Sequence, residues 1–377
     1  MHRIATTLLL FTLGCGARTE LLTAPPDAGA PAPPGLRVAV GRLHACALRP
    51  SGTVVCWGAN SVGQLGVPGA PSGPPVEVAG LSAVTQLVAY MDSTCAVTDG
   101  GRVRCWGSDA GAGLGPGSTV RTAPVEVPSL TDVRLLAMGY RIQVASRVDG
   151  SVRTWGNNGN GGLGLGSYEM PAGVQTPVGL ANVTALAAGY EQLCAATADG
   201  RVWCWGPRLT AEAGRVAVLA PRLVPDVTAA REVVVTVGAA CARAADGTVR
   251  CWGVNADGVL GDGTTTDRPQ PRTVAGLADV ESLSGGFGQV CALDRAGAVW
   301  CWGRNRDGEG GAPATPALTT PTRVAGLPPA RSVSAGFAVT CAVTRDDAVY
   351  CWGDNRAGQL GAHRAPRSET PVRVTLP

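Results

Sequence analysis

The sequence predicts an all-β protein, a seven-bladed β-propeller with about four short antiparallel strands in each blade. The dipeptide Trp-Gly recurs at Trp57, Trp106, Trp155, Trp205, Trp252, Trp302 and Trp352, at spacings of 49, 49, 50, 47, 50 and 50 residues. A period near 50 residues is the length of a propeller blade. Within each period short apolar stretches alternate with turn residues and no 3.6-residue periodicity appears, which fits strands. The 377 residues also include 53 Gly and 28 Pro, and both residues break helix interiors. Seven copies use almost everything from Val38 onward. The expected division is therefore 1–14 as a leader, 15–35 as a tether and 36–377 as the propeller.

Each repeat carries the same internal order. An apolar strand such as Val84-Thr85-Gln86-Leu87-Val88 comes first, then two strands around a turn, as in Cys46-Ala47-Leu48 and Thr53-Val54-Val55-Cys56-Trp57. A Gly-rich loop such as Gly63-Gln64-Leu65-Gly66 follows. A Pro-led strand closes the unit at Pro75, Pro124, Pro177, Pro221, Pro271, Pro321 and Pro371. Proline suits an outer edge, where a missing donor is tolerated. In the first hairpin, pairing Cys46 with Cys56 sets Ala47 opposite Val55 and leaves the turn Pro50-Ser51-Gly52. Its third position must be left-handed, which Gly supplies. Gly101, Gly150, Gly200, Gly247 and Gly297 recur there, and Asp347 takes the place in the last repeat.

Thirteen cysteines cannot all pair with one another. Twelve of them recur ten positions apart, as Cys46/Cys56, Cys95/Cys105, Cys194/Cys204, Cys241/Cys251, Cys291/Cys301 and Cys341/Cys351. The third repeat loses both members together, to Val144 and Thr154, as bonded partners would. Directly opposed residues on antiparallel strands lie about 4.5–5.5 Å apart, within disulfide range. Six bridges require an oxidising compartment and exclude the cytoplasm. Zinc would need closer Cys pairs, and there is no Cys-x-x-Cys for redox work.

The thirteenth cysteine is Cys15. Met1-His2-Arg3 is a basic start and Ile4–Leu13 an apolar run, too short to span a bilayer and arranged like a secretory signal. The ending Leu13-Gly14-Cys15 resembles the lipobox of bacterial lipoproteins, with Thr12 and Leu13 departing from its usual residues. That resemblance implies lipidation of Cys15 and attachment to the outer membrane; an ordinary signal peptide with an incidental Cys is the other reading. Gly16–Gly35, rich in Ala and Pro, reads as an extended tether.

The pattern Gly-x-x-His-x-Cys-Ala-Leu, then Gly-x-Val-x-Cys-Trp-Gly-x-Asn-x-x-Gly-Gln-Leu-Gly, is fullest in Gly41–Gly66 and, without the His, in Gly336–Gly361. It resembles the repeat of the regulator of chromosome condensation family. The resemblance runs from Val38 to the end of the chain and implies a seven-bladed propeller. The motif's histidine survives only as His44, and the fourth repeat has Pro207–Val218 in place of the Gly-rich loop. The family's eukaryotic founder promotes nucleotide exchange on a small nuclear GTPase; other members use the propeller purely as a binding platform.

Four positions before the first Cys of each repeat stand Arg42, Met91, Tyr140, Tyr190, Val237, Phe287 and Phe337. Equivalent places in successive blades form a ring near the axis, and Arg with aromatics is the composition of a binding hot spot; packing between blades is the alternative reading. With the neighbours Tyr90, Arg141 and Glu191, repeats two to four make the expected contact sector. The Trp and the Ala after each first Cys recur in all seven units and are read as serving the blade. Asp257-Gly258 and Asp307-Gly308 read as turns, lacking the acidic run of a calcium loop.

Composition removes several functions. The 31 basic and 28 acidic residues are too balanced for nucleic-acid binding. All basic residues are Arg, which excludes Lys-based Schiff-base or P-loop chemistry. Three His argue against a multi-His metal site, and neither Gly-x-Ser-x-Gly nor His-Glu-x-x-His occurs. No catalytic, cofactor or metal residues are assigned. The expectation is a monomeric, extracytoplasmic, membrane-anchored platform for a protein or glycan partner. The alternatives are an extracytoplasmic enzyme with carboxylates at the channel mouth, or an exchange factor by family analogy.

Overall fold

A computed structural model describes residues 35–108, 120–207, 217–361 and 364–377. The leader, Cys15 and the tether up to residue 34 lie outside the described residues. The described chain belongs to one unit, Pro33–Pro377, made of seven antiparallel sheets. Six sheets have four strands in sequence order; blade 1, for example, runs Arg37–Val40, His44–Leu48, Val54–Ala59 and Ser72–Glu77. The first strand of each sheet lines a central channel of about 560 Å³. All four strands of each complete sheet come from one repeat, so no terminal strand is exchanged to close the ring.

The hairpin register is the one the cysteines dictate. Ala47 faces Val55 and Cys46 faces Cys56, Gly52 has φ 79° and Asp347 φ 62°. All six expected disulfides form: Cys46 bonds Cys56, Cys95 bonds Cys105 and Cys194 bonds Cys204. In the last three blades Cys241 bonds Cys251, Cys291 bonds Cys301 and Cys341 bonds Cys351. One detail is corrected for every pair, because the Cα–Cα distances are 4.0–4.1 Å. That is closer than the expected 4.5–5.5 Å. The bonds Arg49 N–H to Thr53 O and Ala59 N–H to Leu43 O flank the first pair. They place it on a non-hydrogen-bonded rung, where strands approach most nearly, and the bridge draws that rung tighter. In blade 3 Val144 faces Thr154 in the same register. The Thr154 hydroxyl is satisfied by Leu163 O at 2.9 Å.

Two expectations about the outer strands need correction. Blade 3 has only Val133–Met138, Ile142–Arg147 and Val152–Gly156. Its outer place is reduced to the isolated bridges Ser151↔Ala181 and Thr154↔Gln175, so Pro177 heads no strand. In the other blades the proline lies inside the outer strand: Pro321, for instance, is within Thr315–Arg323. There the register shifts between Cys301↔Thr322 and Gly303↔Leu318, so the proline occupies a bulge. The same shift follows Cys56, Cys105, Cys204, Cys251 and Cys351, so the second cysteine of each bridge marks where the outer strand bulges. A bulge leaves residues out of the ladder, which is why a residue without N–H is tolerated there.

Seven core clusters, each built around one Trp-Gly tryptophan, sit at the junctions between blades. Trp57, for example, packs with Val339, Leu360 and Val374 of blade 7. All seven tryptophans are at most 2% exposed, so each serves as the wedge between its blade and the preceding one. The Ala after each first Cys is buried as well, at 3% exposure or less.

Candidate functional site

The seven candidate positions open two-residue turns between the first and second strands of each blade, closed by bonds such as Gly139 N–H to Ile142 O and Gly286 N–H to Gln289 O. The turns gather at one end of the channel, as the ring reading expected. They are tied to one another by backbone bonds: Arg42 N–H to Met91 O, Tyr140 to Gly189, Val237 to Phe287, Phe287 to Gly336 and Phe337 to Gly41. The last closes blade 7 on blade 1. Glycine before the ring residue permits this approach: a Cβ on Gly286 would lie 2.2 Å from Gly336 O, and one on Gly139 2.1 Å from Gly189 O. Blade 2 has Tyr90 in that place and blade 5 has Thr236.

The side chains form an arc. Tyr140 stacks on Tyr190 at 4.7 Å, Tyr190 meets Phe287 edge-on at 6.3 Å, and Phe287 lies 4.2 Å from Phe337. Cations cap both ends. The Arg141 guanidinium lies 4.9 Å from the Tyr140 ring, and Arg42 and Arg304 lie 5.5 and 5.0 Å from the Phe337 ring. Such contacts are worth about 0.5–2 kcal/mol each, more as water is excluded. The structure therefore brings Arg42, Tyr140, Arg141, Tyr190, Phe287 and Phe337 together. Glu191 stands beside them, bonded to Asn160 Nδ2 at 2.6 Å. Val237 takes no part in the ring contacts, which pass from Tyr190 to Phe287.

The arc opens at blade 2. There a cavity of about 220 Å³ is lined by Arg42, Tyr90, Met91, Asp92, Tyr140, Arg141, Gln143 and Tyr190, among others. Tyr90 also packs against the core between blades 2 and 3, so the between-blade reading holds for its ring. Burial, with the Tyr190 hydroxyl adding to it, pushes the Tyr90 hydroxyl above the ordinary tyrosine range. Two turns bordering the cavity hold non-glycine residues in left-handed backbone, Met91 at φ 48° and Arg141 at φ 64°, a conformation that costs energy without Gly.

Beside the other end of the arc lies a charged network that the sequence reading missed. Arg304 reaches Asp307 and Glu309, both at 3.4 Å. Arg356 reaches Asp307 at 3.6 Å and Asp354 at 2.7 Å, and Arg306 pairs with Asp257. Glu309 is fully buried, and desolvation pushes its carboxyl above the ordinary range. Arg304 fills the variable position between the recurring Gly and Asn of the repeat, which was the available signal. The recurring Asn itself braces the Gly-rich loop. Asn255 Oδ1 accepts from Leu260 N–H at 2.9 Å while its Nδ2 donates to carbonyls of Thr264 and Thr266. Asn60, Asn158, Asn305 and Asn355 do the same in their blades.

Glu232 and Glu281 line the channel. Glu232 Oε2 accepts from Arg243 Nε at 3.1 Å and from Leu283 N–H at 2.9 Å, so this carboxylate bridges blades 5 and 6. Burial nevertheless raises its affinity for a proton. Among the described residues no group of three or more His, Cys, Asp or Glu side chains is placed to hold a metal, and no helix is long and apolar enough to cross a membrane.

These features define a disulfide-stapled propeller that presents an aromatic and arginine arc at one end of its channel. Family profiles describing the regulator of chromosome condensation (RCC1) repeat match residues 37–64, 330–359 and 246–293, so the chain carries RCC1-like repeats in those segments. Human WBSCR16 is similar in structure, with TM-score 0.74 and 20% identity over 82% of this chain and 87% of that chain. Yeast RCC1 (Prp20), solved with Kap60 bound, gives 0.52 and 22% over 90% and 74%. The ectodomain of the Arabidopsis thaliana receptor kinase ACR4 gives 0.55 and 18% over 90% and 98%. At these identities the likeness shows the fold. No curated protein matches the chain.

Proposed function

We propose that this propeller is a non-enzymatic binding platform, held outside the cytoplasm by an N-terminal lipid anchor at Cys15, that takes a protein or glycan partner on the face marked by the arc. The observation that carries the reading is the arc itself: four aromatic rings and three guanidinium groups, most of them from equivalent turns of an otherwise uniform scaffold, meet at one end of the channel. Large rigid rings and Arg are the side chains that dominate interface energetics. Six disulfides suit an oxidising compartment and argue against an exchange factor working in the nucleus. An enzyme at the channel would need converging free carboxylates; of the two glutamates that line it, Glu232 is already engaged by Arg243 and Leu283 N–H, which leaves Glu281 alone among the described residues.

The test is a crosslinked pull-down from the native envelope with the wild-type chain and with Tyr140→Ala/Tyr190→Ala. Loss of one reproducible partner in the double variant, with folding intact by circular dichroism, is the expected result. Unchanged recovery would remove this face from consideration.

A further inference from the structure

The geometry points to the cavity between blades 2 and 3 as a carboxylate-binding subsite that receives one acidic side chain of a protein partner. The inference rests on the reading of this end as the partner-binding face and makes it specific.

Four observations converge on that cavity. First, among the described residues the ladder of backbone bonds between turns is interrupted here, since no such bond runs from Met91 to blade 3. Tyr90 stands there in the place held by glycine in most blades. Second, the polar groups lining the cavity have unused hydrogen-bonding capacity. Gln143 is fully buried, yet among the described residues neither atom of its amide has a partner, and the same holds for the Tyr90 hydroxyl and for Arg141 Nε. Buried groups of this kind are costly to leave unmade, and a ligand that satisfies them recovers that cost on binding. Third, the charge balance of the described lining residues is positive. Asp92 faces Arg42 at 3.9 Å, which leaves Arg141 as the cation at the cavity with no carboxylate partner among the described residues. Fourth, the volume is about 220 Å³, room for roughly seven waters at ~30 Å³ each. That fits the end of one side chain and not an extended segment.

The donors define the guest. Arg141 Nε, the Gln143 amide N–H and the Tyr90 O–H are the unpartnered donors of residues at this cavity, and charge-assisted bonds from such donors to a carboxylate are the strong ones. Gln143 Oε1 then remains as an acceptor for a peptide N–H, which an acidic residue within a chain carries and a free acid does not. The stacked Tyr140 and Tyr190 form one wall. Tyr140 already has the Arg141 guanidinium and the Tyr190 ring against it, so it is a poor platform for a sugar ring.

The experiment titrates the full chain with three probes: a capped penta-glutamate peptide, the matching penta-glutamine peptide and glutarate. The expected result is saturable binding of the glutamate peptide alone, weakening as salt is raised. Arg141→Gln should lower its affinity at least tenfold, and Tyr90→Phe, which keeps the ring and removes only the hydroxyl, several-fold. Glutarate binding as tightly as the peptide would overturn the assignment to a protein side chain. Equal binding of the two peptides, or undiminished affinity in Arg141→Gln, would overturn the subsite. A pull-down that loses its partner with Tyr140→Ala/Tyr190→Ala but keeps it with Arg141→Gln and Tyr90→Phe would sink the subsite while leaving the broader face standing.

Discussion

Among the described residues five of the seven blade junctions are fastened twice, and the other two are not. Between blades 1 and 2, 3 and 4, 5 and 6, 6 and 7, and 7 and 1, neighbouring turns share a backbone bond. At the same five junctions an indole N–H donates to a carbonyl in the Gly-rich loop of the preceding blade. Trp106 bonds Gln64, Trp205 bonds Gly162, Trp302 bonds Val259, Trp352 bonds Glu309 and Trp57 bonds Gln359, all at 2.8–3.0 Å. At junctions 2–3 and 4–5 neither fastening is present among the described residues. A glutamine bridges the blades instead: Gln86 bonds both N–H and carbonyl of Leu136, and Gln192 accepts from Gly238 N–H. The corresponding segments of repeats two and four, 109–119 and 208–216, lie outside the described residues. Their sequences have Asp109 and Arg208 where the bracing Asn stands in the other five blades. Among the described residues the double fastening accompanies the bracing Asn, and at junction 2–3, where it is not seen, unpartnered polar groups line a cavity.

The largest expected effect tests the indole fastening. Trp352→Ala removes a fully buried side chain and also leaves Glu309 O without one of its donors. A loss of about 5 kcal/mol is expected, from roughly 3–5 for the truncation plus about 1 for the lost hydrogen bond, since Glu309 O keeps the Thr340 hydroxyl as a donor. Trp155→Ala removes equivalent volume, but its indole N–H has no partner among the described residues, and a loss of about 3 kcal/mol is expected. Denaturant unfolding measures both. Equal losses would mean that the fastening contributes nothing beyond packing.

The next effect separates the two kinds of junction by pH. His44, fully buried at junction 1–2, bonds the Thr94 hydroxyl at 2.7 Å. Desolvation lowers its pKa from 6.5 to about 4. Below pH 6.5 the unfolded chain takes up a proton that the folded imidazole refuses, so stability falls as pH drops from about 6.5 to about 4 and this contribution levels off below that. The full span is worth up to about 3 kcal/mol, at roughly 1.36 kcal/mol per unit. Gln192 fills the equivalent position at junction 4–5 and does not titrate there. His44→Gln should therefore flatten this part of the pH profile, read as the difference between variant and wild-type melting temperatures. An identical slope in the variant would assign the acid sensitivity elsewhere.

Blade number, hairpin register and all six disulfides were legible in the sequence because each rests on local rules repeated many times over. Ten-residue Cys spacing, a left-handed third turn residue and the Trp-Gly period all reinforce one another. The ring positions were legible for the same reason, since equivalence in sequence is equivalence around the axis. What could not be read were relations across junctions. Nothing in one repeat announces that Gln143 is buried without a partner, or that Arg304 reaches the Phe337 ring of the next blade. The Pro-led strand failed because proline marks an outer edge without saying whether it begins a strand or sits in a bulge. Blade 3 failed at Pro177 because one proline without regular pairing is no strand.

The smallest effect concerns the glycines before the ring residues. A Cβ at Gly286 would lie 2.2 Å from Gly336 O, the acceptor of the Phe287 N–H bond, and backbone cannot yield as a flexible side chain can. Behind Thr236, the Val237 N–H bonds to Phe287 O, the ring residue itself, as the Arg42 N–H behind Gly41 bonds to Met91 O. Gly286→Ala should therefore cost about 2 kcal/mol, within the roughly 1–3 typical of overpacking, and speed hydrogen exchange at the Phe287 amide while leaving blade 3 amides unchanged. Tyr90→Gly makes the reverse change at junction 2–3. If the tyrosine ring is what holds that junction open, the Met91 amide should gain protection as blade 3 closes in, and the cavity should shrink. Protection at Met91 that stays as low as in the wild type would show that blade 2 is set apart by more than one side chain.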